Sequence, residues 1–163
     1  MAETFYQQSG SKQEQYQSLL PQIQALISDE RDFVANMANV CAVLKQQFDW
    51  LWIGFYVVRG EELVLAPFQG PIACTRIAKG RGVCGSAWAQ AQTIVVPDVN
   101  QFAGHIACSS LSQSEIVVPM LLGERCVGVL DIDSADLAMF DDTDAEFLQQ
   151  VVAVLLASSD VPA

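Results

Sequence analysis

The 163-residue chain is 52% hydrophobic and 17% charged, the balance of a globular domain long enough to bury its own core. Nineteen Asp and Glu stand against eight Lys and Arg, a formal charge of −11, so the chain lacks the basic footprint that nucleic acid or an anionic membrane requires. No apolar run approaches the ~20 residues that span a bilayer, and the polar, acidic start Met1-Ala2-Glu3-Thr4 is no signal peptide, so the expected location is the cytoplasm.

Residues 1–11, with Ser9-Gly10-Ser11, read as a frayed start to a single domain over 1–163. From Lys12, the apolar positions Tyr16, Leu19, Leu20, Ile23 and Ile27 recur at helical spacing, and Pro21 predicts a break or a new first turn among them. Ser28-Asp29-Glu30 reads as the next helix start, with acids in its first turn. Phe33, Met37, Val40, Cys41, Leu44 and Phe48 form the apolar stripe behind it.

Residues 50–58 are almost wholly apolar and rich in aromatics, the pattern of a strand covered on both faces. Arg59-Gly60-Glu61-Glu62 turns the chain into a second strand over 63–67. Residues 69–85 carry Gly70, Gly80, Gly82 and Gly85 and predict a long, partly irregular connection, a kind of segment that is usually functional. A short helix over 85–92 and a short strand over 93–96 follow.

Residues 115–122 and 125–133 are two apolar runs joined by Gly123-Glu124, a second hairpin. Val127 and Val129 share the parity of Asp131 and Asp133 in the second run. Thr143-Asp144-Ala145-Glu146 fits a capping box ahead of a closing helix. The order of elements implies an α+β fold: one antiparallel sheet, helices on one side and the irregular segment on the other.

Five cysteines in a reducing compartment do not make a structural disulfide framework. Cys41, on a helical stripe, and Cys126, opening a strand, read as packing residues. Cys74, Cys84 and Cys108 sit among Gly, Pro and Ser, where loops are expected. The only histidine, His105, lies three residues before Cys108. It would activate that thiol only if the imidazole faced the sulfur, and the local acids oppose thiolate formation. A zinc site is disfavoured, because Cys74 and Cys84 are too far apart for the usual close ligand pairs.

Redox chemistry fits the inventory better. One thiol attacks an oxidised centre and becomes a sulfenic acid, and a second thiol in a mobile segment resolves it to a disulfide. Asp131 and Asp133 alternate along a strand and share a face, and Glu115 begins the neighbouring strand. Either these acids end the strands in water, or they converge. Converged acids would suit a ligand's ammonium group, and a protonated member could donate to a departing oxygen.

A specific resemblance rests on Trp52-Ile53-Gly54-Phe55-Tyr56, Gly70-Pro71-Ile72-Ala73-Cys74, Gly80-Arg81-Gly82-Val83-Cys84-Gly85, Val96-Pro97-Asp98-Val99, Gly104-His105-Ile106-Ala107-Cys108, Ser114-Glu115-Ile116-Val117 and Leu130-Asp131-Ile132-Asp133-Ser134. With these strings, and into both flanking helices, the chain resembles the free methionine-(R)-sulfoxide reductases, which are stand-alone GAF domains. A generic GAF domain shares only the Leu-Asp-Ile-Asp ending.

The resemblance implies that Cys108 attacks the sulfoxide sulfur, that Cys74 is the main resolving partner, and that Cys84 is a third redox cysteine. It implies that Glu115, Asp131 and Asp133 hold the substrate, that Trp52 and Tyr56 wall its methyl end, and that backbone amides around Ile106, Ala107 and Cys108 receive its carboxylate. It further implies thioredoxin as electron donor and a homodimer; no cofactor and no metal are expected. One departure stands out: the family commonly has an acid after Cys108, where this chain has Ser109-Ser110-Leu111-Ser112. A ligand-binding or redox-sensing GAF module without turnover is the alternative expectation, since fold does not fix function.

Overall fold

The structure, a computed structural model, describes residues 3–163. Helix α1 (Lys12–Ile27) starts at a capping box in which Ser11 and Glu14 satisfy each other's backbone amides. It runs through Pro21 without ending, against the sequence expectation. Pro21 and Gln17 are both exposed, so the carbonyl that loses its helical partner can turn to water. Of the expected frayed start, residues 1 and 2 lie outside the described residues. Residues 3–10 have no helix or strand, but Tyr6 exchanges backbone hydrogen bonds with the Gln22 side chain, and Gln8 does the same with Gln47.

Helix α2 (Phe33–Phe48) starts later than Ser28-Asp29-Glu30 implies. Asp32 is the cap, accepting from the Ala35 amide, and the Glu30 carboxylate is taken by the amides of Arg31 and Asp32. Strands β1 (Trp52–Arg59) and β2 (Glu62–Gln69) form the first hairpin. A three-residue strand β3 (Arg76–Ala78) inside the predicted irregular connection pairs with β2. Helix α3 (Gly82–Gln90), strand β4 (Ile94–Val96) and a 3-10 turn (Val99–Gln101) follow.

Strands β5 (Ser114–Leu122) and β6 (Arg125–Ser134) form the second hairpin. Helix α4 (Asp142–Ser158) closes the fold. Its capping box is Asp141 with Asp144, two residues earlier than Thr143 with Glu146, because Asp141 is the residue in extended backbone.

The six strands form one antiparallel sheet in the order β3-β2-β1-β6-β5-β4. Helices α1, α2 and α4 pack on one face, over Ile53, Phe55, Ile116, Val118, Leu130 and Ile132. Helix α3 packs on the other, with Val83, Ala87 and Trp88 against Trp52, Tyr56, Val117 and Val129. This is the α+β architecture the sequence implies. No described helix is long and apolar enough to cross a membrane.

One parity argument fails. Met120 pairs with Gly128 while Leu121 pairs with Cys126, so Val127 is an extra residue in a bulge. The bulge sends Val127 to the three-helix face and leaves Val129, Asp131 and Asp133 on the α3 face.

Candidate active site

The site lies on the α3 face of the sheet, near the ends of its central strands. Antiparallel register places Asp133 opposite Glu115 on β5 and opposite Trp52 on β1. Asp131, two residues back, faces Val117 and Gly54. A side chain on Gly54 would collide with the Trp52 indole and Phe68, so its absence lets that indole lie across the sheet. Three acids on one sheet face thus come from two neighbouring strands, and like charges directly opposite are unfavourable while ionised.

Glu115 and Asp131 are only 5% and 6% exposed, and Asp133 is half-buried. Burial, reinforced by the Asp133 charge, lifts the Glu115 carboxyl to about 8. Asp131 is raised well above its ordinary value by burial and then by the Glu115 charge. Asp133 is raised by burial and by Asp131, against the hydrogen bond from Ser112, whose Oγ donates to Asp133 Oδ1 at 2.8 Å. At neutral pH this cluster therefore retains protons. Asp131 Oδ1 is buried with no hydrogen-bond partner, an acceptor aimed at nothing the protein supplies.

Cys84 enters from α3, its Sγ 4.0 Å from Glu115 Oε1, and burial followed by the acids' charge pushes its thiol well up. Cys41, buried under the helices on the opposite face, is pushed up to about 12 by burial alone. Cys126 is half-buried and bonds the Gly128 carbonyl. Both behave as the packing residues their patterns imply.

Cys74 and Cys108 are joined in a disulfide, Cα to Cα 5.7 Å, across a sequence separation of 34. Cys108 lines a small cavity, about 50 Å³, together with Trp52, Tyr56, Cys84, Glu115, Asp131 and Asp133. His105 and Ile106 also line it, whereas Ala107 does not.

His105 faces the acids rather than acting on a thiol: its Nε2 is 3.7 Å from Glu115 Oε2, and burial lowers its pKa. The segment 104–108 is not a helix start. The Cys108 amide donates to the Ile106 carbonyl, which leaves the Ile106 and Ala107 amides without partners among the described residues. The segment sits close to α3 because Gly82, at φ +61°, presents no side chain to the Ile106 side chain resting on it.

The aromatics do more than wall the cavity. Tyr56 Oη donates to the Cys74 carbonyl at 2.8 Å and Trp52 Nε1 to the Pro71 carbonyl at 3.0 Å, so both tether the segment that carries Cys74. Sequence reasoning missed Ser112, a loop residue whose partner lies 21 residues on. It also missed Arg81, which lines the cavity and whose only signal was a cation inside Gly80-Arg81-Gly82 in a chain poor in them.

The GAF domain family profile matches residues 24–159. "GAF domain-containing protein A" of Dictyostelium discoideum is 58% identical over 156 residues, covering 95% of this chain and 99% of that protein. Free methionine-R-sulfoxide reductase of Escherichia coli is 46% identical over 154 residues, covering 92% of this chain and 93% of the enzyme. The X-ray structure of free methionine-R-sulfoxide reductase from Neisseria meningitidis in complex with its substrate is 53% identical, with a TM-score of 0.94 over 96% of this chain and 95% of that one.

Proposed function

The chain belongs to the free methionine-R-sulfoxide reductases, GAF-domain oxidoreductases acting on methionine sulfoxide, and from that premise we propose that it turns over the free amino acid through Cys108 and the acid cluster beneath it. The observation that carries this reading is the Cys74–Cys108 disulfide beside a cavity lined by three acids, Glu115 and Asp131 buried and Asp133 half-buried.

In the proposed cycle, the reduced Cys108 sulfur attacks the sulfoxide sulfur of L-methionine (R)-sulfoxide. A protonated carboxyl of the Glu115, Asp131 and Asp133 cluster donates a proton toward the sulfoxide oxygen, a role its raised pKa values support. Methionine leaves with the electron pair on sulfur, and the oxygen remains on Cys108 as a sulfenic acid. The Cys74 thiol displaces that oxygen as water and forms the disulfide. A dithiol reductant, thioredoxin in this reading, opens it by exchange and is itself oxidised. No other cofactor is needed.

The cluster also accounts for selectivity toward a free amino acid. The orphaned Asp131 Oδ1 offers an ammonium group the acceptor it needs. The Ile106 and Ala107 amides offer donors to a carboxylate. A methionine sulfoxide residue within a protein has amides at both positions, which would leave the buried acids unpaired, at a cost of a few kcal/mol, about 2 to 3. Trp52 and Tyr56 take the methyl end. Cys84, buried among the acids, is in this reading an auxiliary redox thiol. Homodimer assembly and a cytoplasmic location, where reductants keep thiols reduced, belong to the same reading.

The deciding assay supplies each methionine sulfoxide epimer with a thioredoxin recycling system and follows reductant consumption. R-selective turnover that disappears in Cys108→Ser supports the proposal. Turnover of both epimers, or undiminished turnover in Cys108→Ser, refutes it. Cys74→Ser should allow one stoichiometric reduction and then stall; continued cycling would make Cys84 the resolving thiol.

A further inference from the structure

One sulfur is left without a necessary part in ammonium binding. Carboxylates alone suffice to hold an ammonium, yet Cys84 Sγ, a Glu115 carboxylate oxygen and an Asp131 carboxylate oxygen all lie within 4.8 Å of one another. All three residues are buried, and Asp131 Oδ1 has no partner. His105 Nε2 approaches the same Glu115 carboxylate at 3.7 Å, and Cys84 Sγ stands 4.0 Å from its other oxygen.

Two donors on a tetrahedral zinc ion stand roughly 3.3 to 3.8 Å apart. The Cys84 to Glu115 spacing of 4.0 Å therefore needs a contraction of a few tenths of an ångström, and the widest spacing in the trio, within 4.8 Å, a side-chain movement of about 1 Å. A thiolate beside two carboxylates is also a donor set that favours zinc over calcium or magnesium, which take oxygen alone. The cavity beside them, about 50 Å³ with the disulfide closed, has room for an ion and a few waters.

We propose that Cys84, Glu115 and Asp131, with water completing the shell, form a binding site for zinc and similar late divalent cations, occupied in competition with the ammonium group of a free amino acid. On binding, the Cys84 thiol releases its proton to solvent and the thiolate closes a bond to the metal; no electrons move. The acids lose their shared protons in the same event, because the cation neutralises them. The spacing argument weighed residues near in sequence, His105 with Cys108 and Cys74 with Cys84, whereas the fold gathers Cys84, Glu115 and Asp131 from α3, β5 and β6.

The competition rests on the amino-acid reading of the site, whereas the metal site does not. The test uses the full chain with its disulfide intact, so that Cys74 and Cys108 cannot ligate, and cobalt(II) as a spectroscopic stand-in. Titration should raise a thiolate-to-cobalt charge-transfer band that saturates near one equivalent and that zinc then abolishes. Cys126→Ser should keep the band; Cys84→Ser should lose it. Asp131→Asn, checked by circular dichroism for folding, should weaken zinc binding by at least about tenfold.

A wild-type protein without a thiolate band, or an equal band in Cys84→Ser, overturns the site. A band unaffected by excess free methionine overturns the competition while leaving the site. None of these readings uses turnover, so a failure here is distinct from a failure of the catalytic assay.

Discussion

Tyr56 Oη donates a hydrogen bond to the carbonyl oxygen of Cys74 at 2.8 Å, linking the central strand β1 to one half of the disulfide. Tyr56 is 2% exposed and stacks with Trp52, whose indole donates to the Pro71 carbonyl. Two rigid aromatics thus hold the Cys74 segment by its backbone and leave its sulfur free to exchange. Tyr56→Phe keeps the packing and removes about 1 kcal/mol of hydrogen bonding. It should slow disulfide closure after reduction of the first substrate, roughly fivefold, with little change in the rate of that first reduction. Rapid-quench measurement of free thiols against methionine formed separates the two steps. Equal slowing of both would mean that Tyr56 acts on the substrate instead.

Ser112 is the one hydroxyl that lowers the pKa of Asp133. Ser112→Ala should raise that pKa further and move the acidic limb of kcat/KM to higher pH. A weakening of roughly three- to tenfold in kcat/KM at neutral pH is expected from one lost charge-assisted bond. A pH profile identical to wild type would show that Asp133 is not among the groups that must ionise.

Glu115 carries a penalty in the empty site. Its folded-state value of about 8 lies above its ordinary value of 4.5. A carboxyl raised on folding contributes its stability below the unfolded value and loses it as pH climbs through the folded one. The substrate-free protein should therefore become less stable between about pH 4.5 and pH 8. Glu115→Gln should remove much of that slope and stabilise the protein at pH 8, on the order of 2 to 3 kcal/mol. Urea denaturation across this pH range checks the sign; a variant less stable than wild type at pH 8 would contradict it.

Substrate binding should release protons from the same acids. An ammonium group placed against them favours their charged forms. Calorimetric binding of substrate to Cys108→Ser at pH 7, in buffers of differing ionisation enthalpy, should show net proton release. Glu115→Gln should reduce the number released.

A separate test addresses the fold alone. Asp144, with a side chain wholly buried, accepts from Tyr16 Oη and Lys12 Nζ, each at 2.6 Å, and from the Asp141 amide at 2.9 Å. It joins α1 to the start of α4 on the face away from the site. Asp144→Ala leaves the Tyr16 hydroxyl and the Asp141 amide without their acceptor and should cost about 3 kcal/mol. Tyr16→Phe, which removes only the donor, should cost about half as much. Chemical denaturation provides both values, and equal losses would refute this apportioning.

The hairpins were legible because the apolar runs and the Gly60 and Gly123 turns between them sit in local sequence. The common face of Asp131 and Asp133 followed from their spacing, and the register then set Glu115 opposite Asp133. What sequence could not show was cross-chain: a bulge that flips Val127, and a Ser112 bond to a residue on another element. Strand β3 was hidden because only Ile77 of its three residues is buried, too little for a pattern. The start of α2 was misread because Ser28, Asp29 and Asp32 all suit a cap, and only backbone geometry selects Asp32. His105 looked like a partner for Cys108 by proximity in sequence, whereas the fold turns its ring to Glu115.

The disulfide encloses α3, the helix covering that face of the sheet, together with the two edge strands β3 and β4 and the 3-10 turn. Clasping a hoop of this length removes unfolded-state entropy equivalent to about 4 kcal/mol. Oxidised and reduced chains are therefore two materials of one sequence, and the oxidised one resists heat and proteases better. In the proposed cycle, a protein waiting for reductant is thus held in its sturdier form.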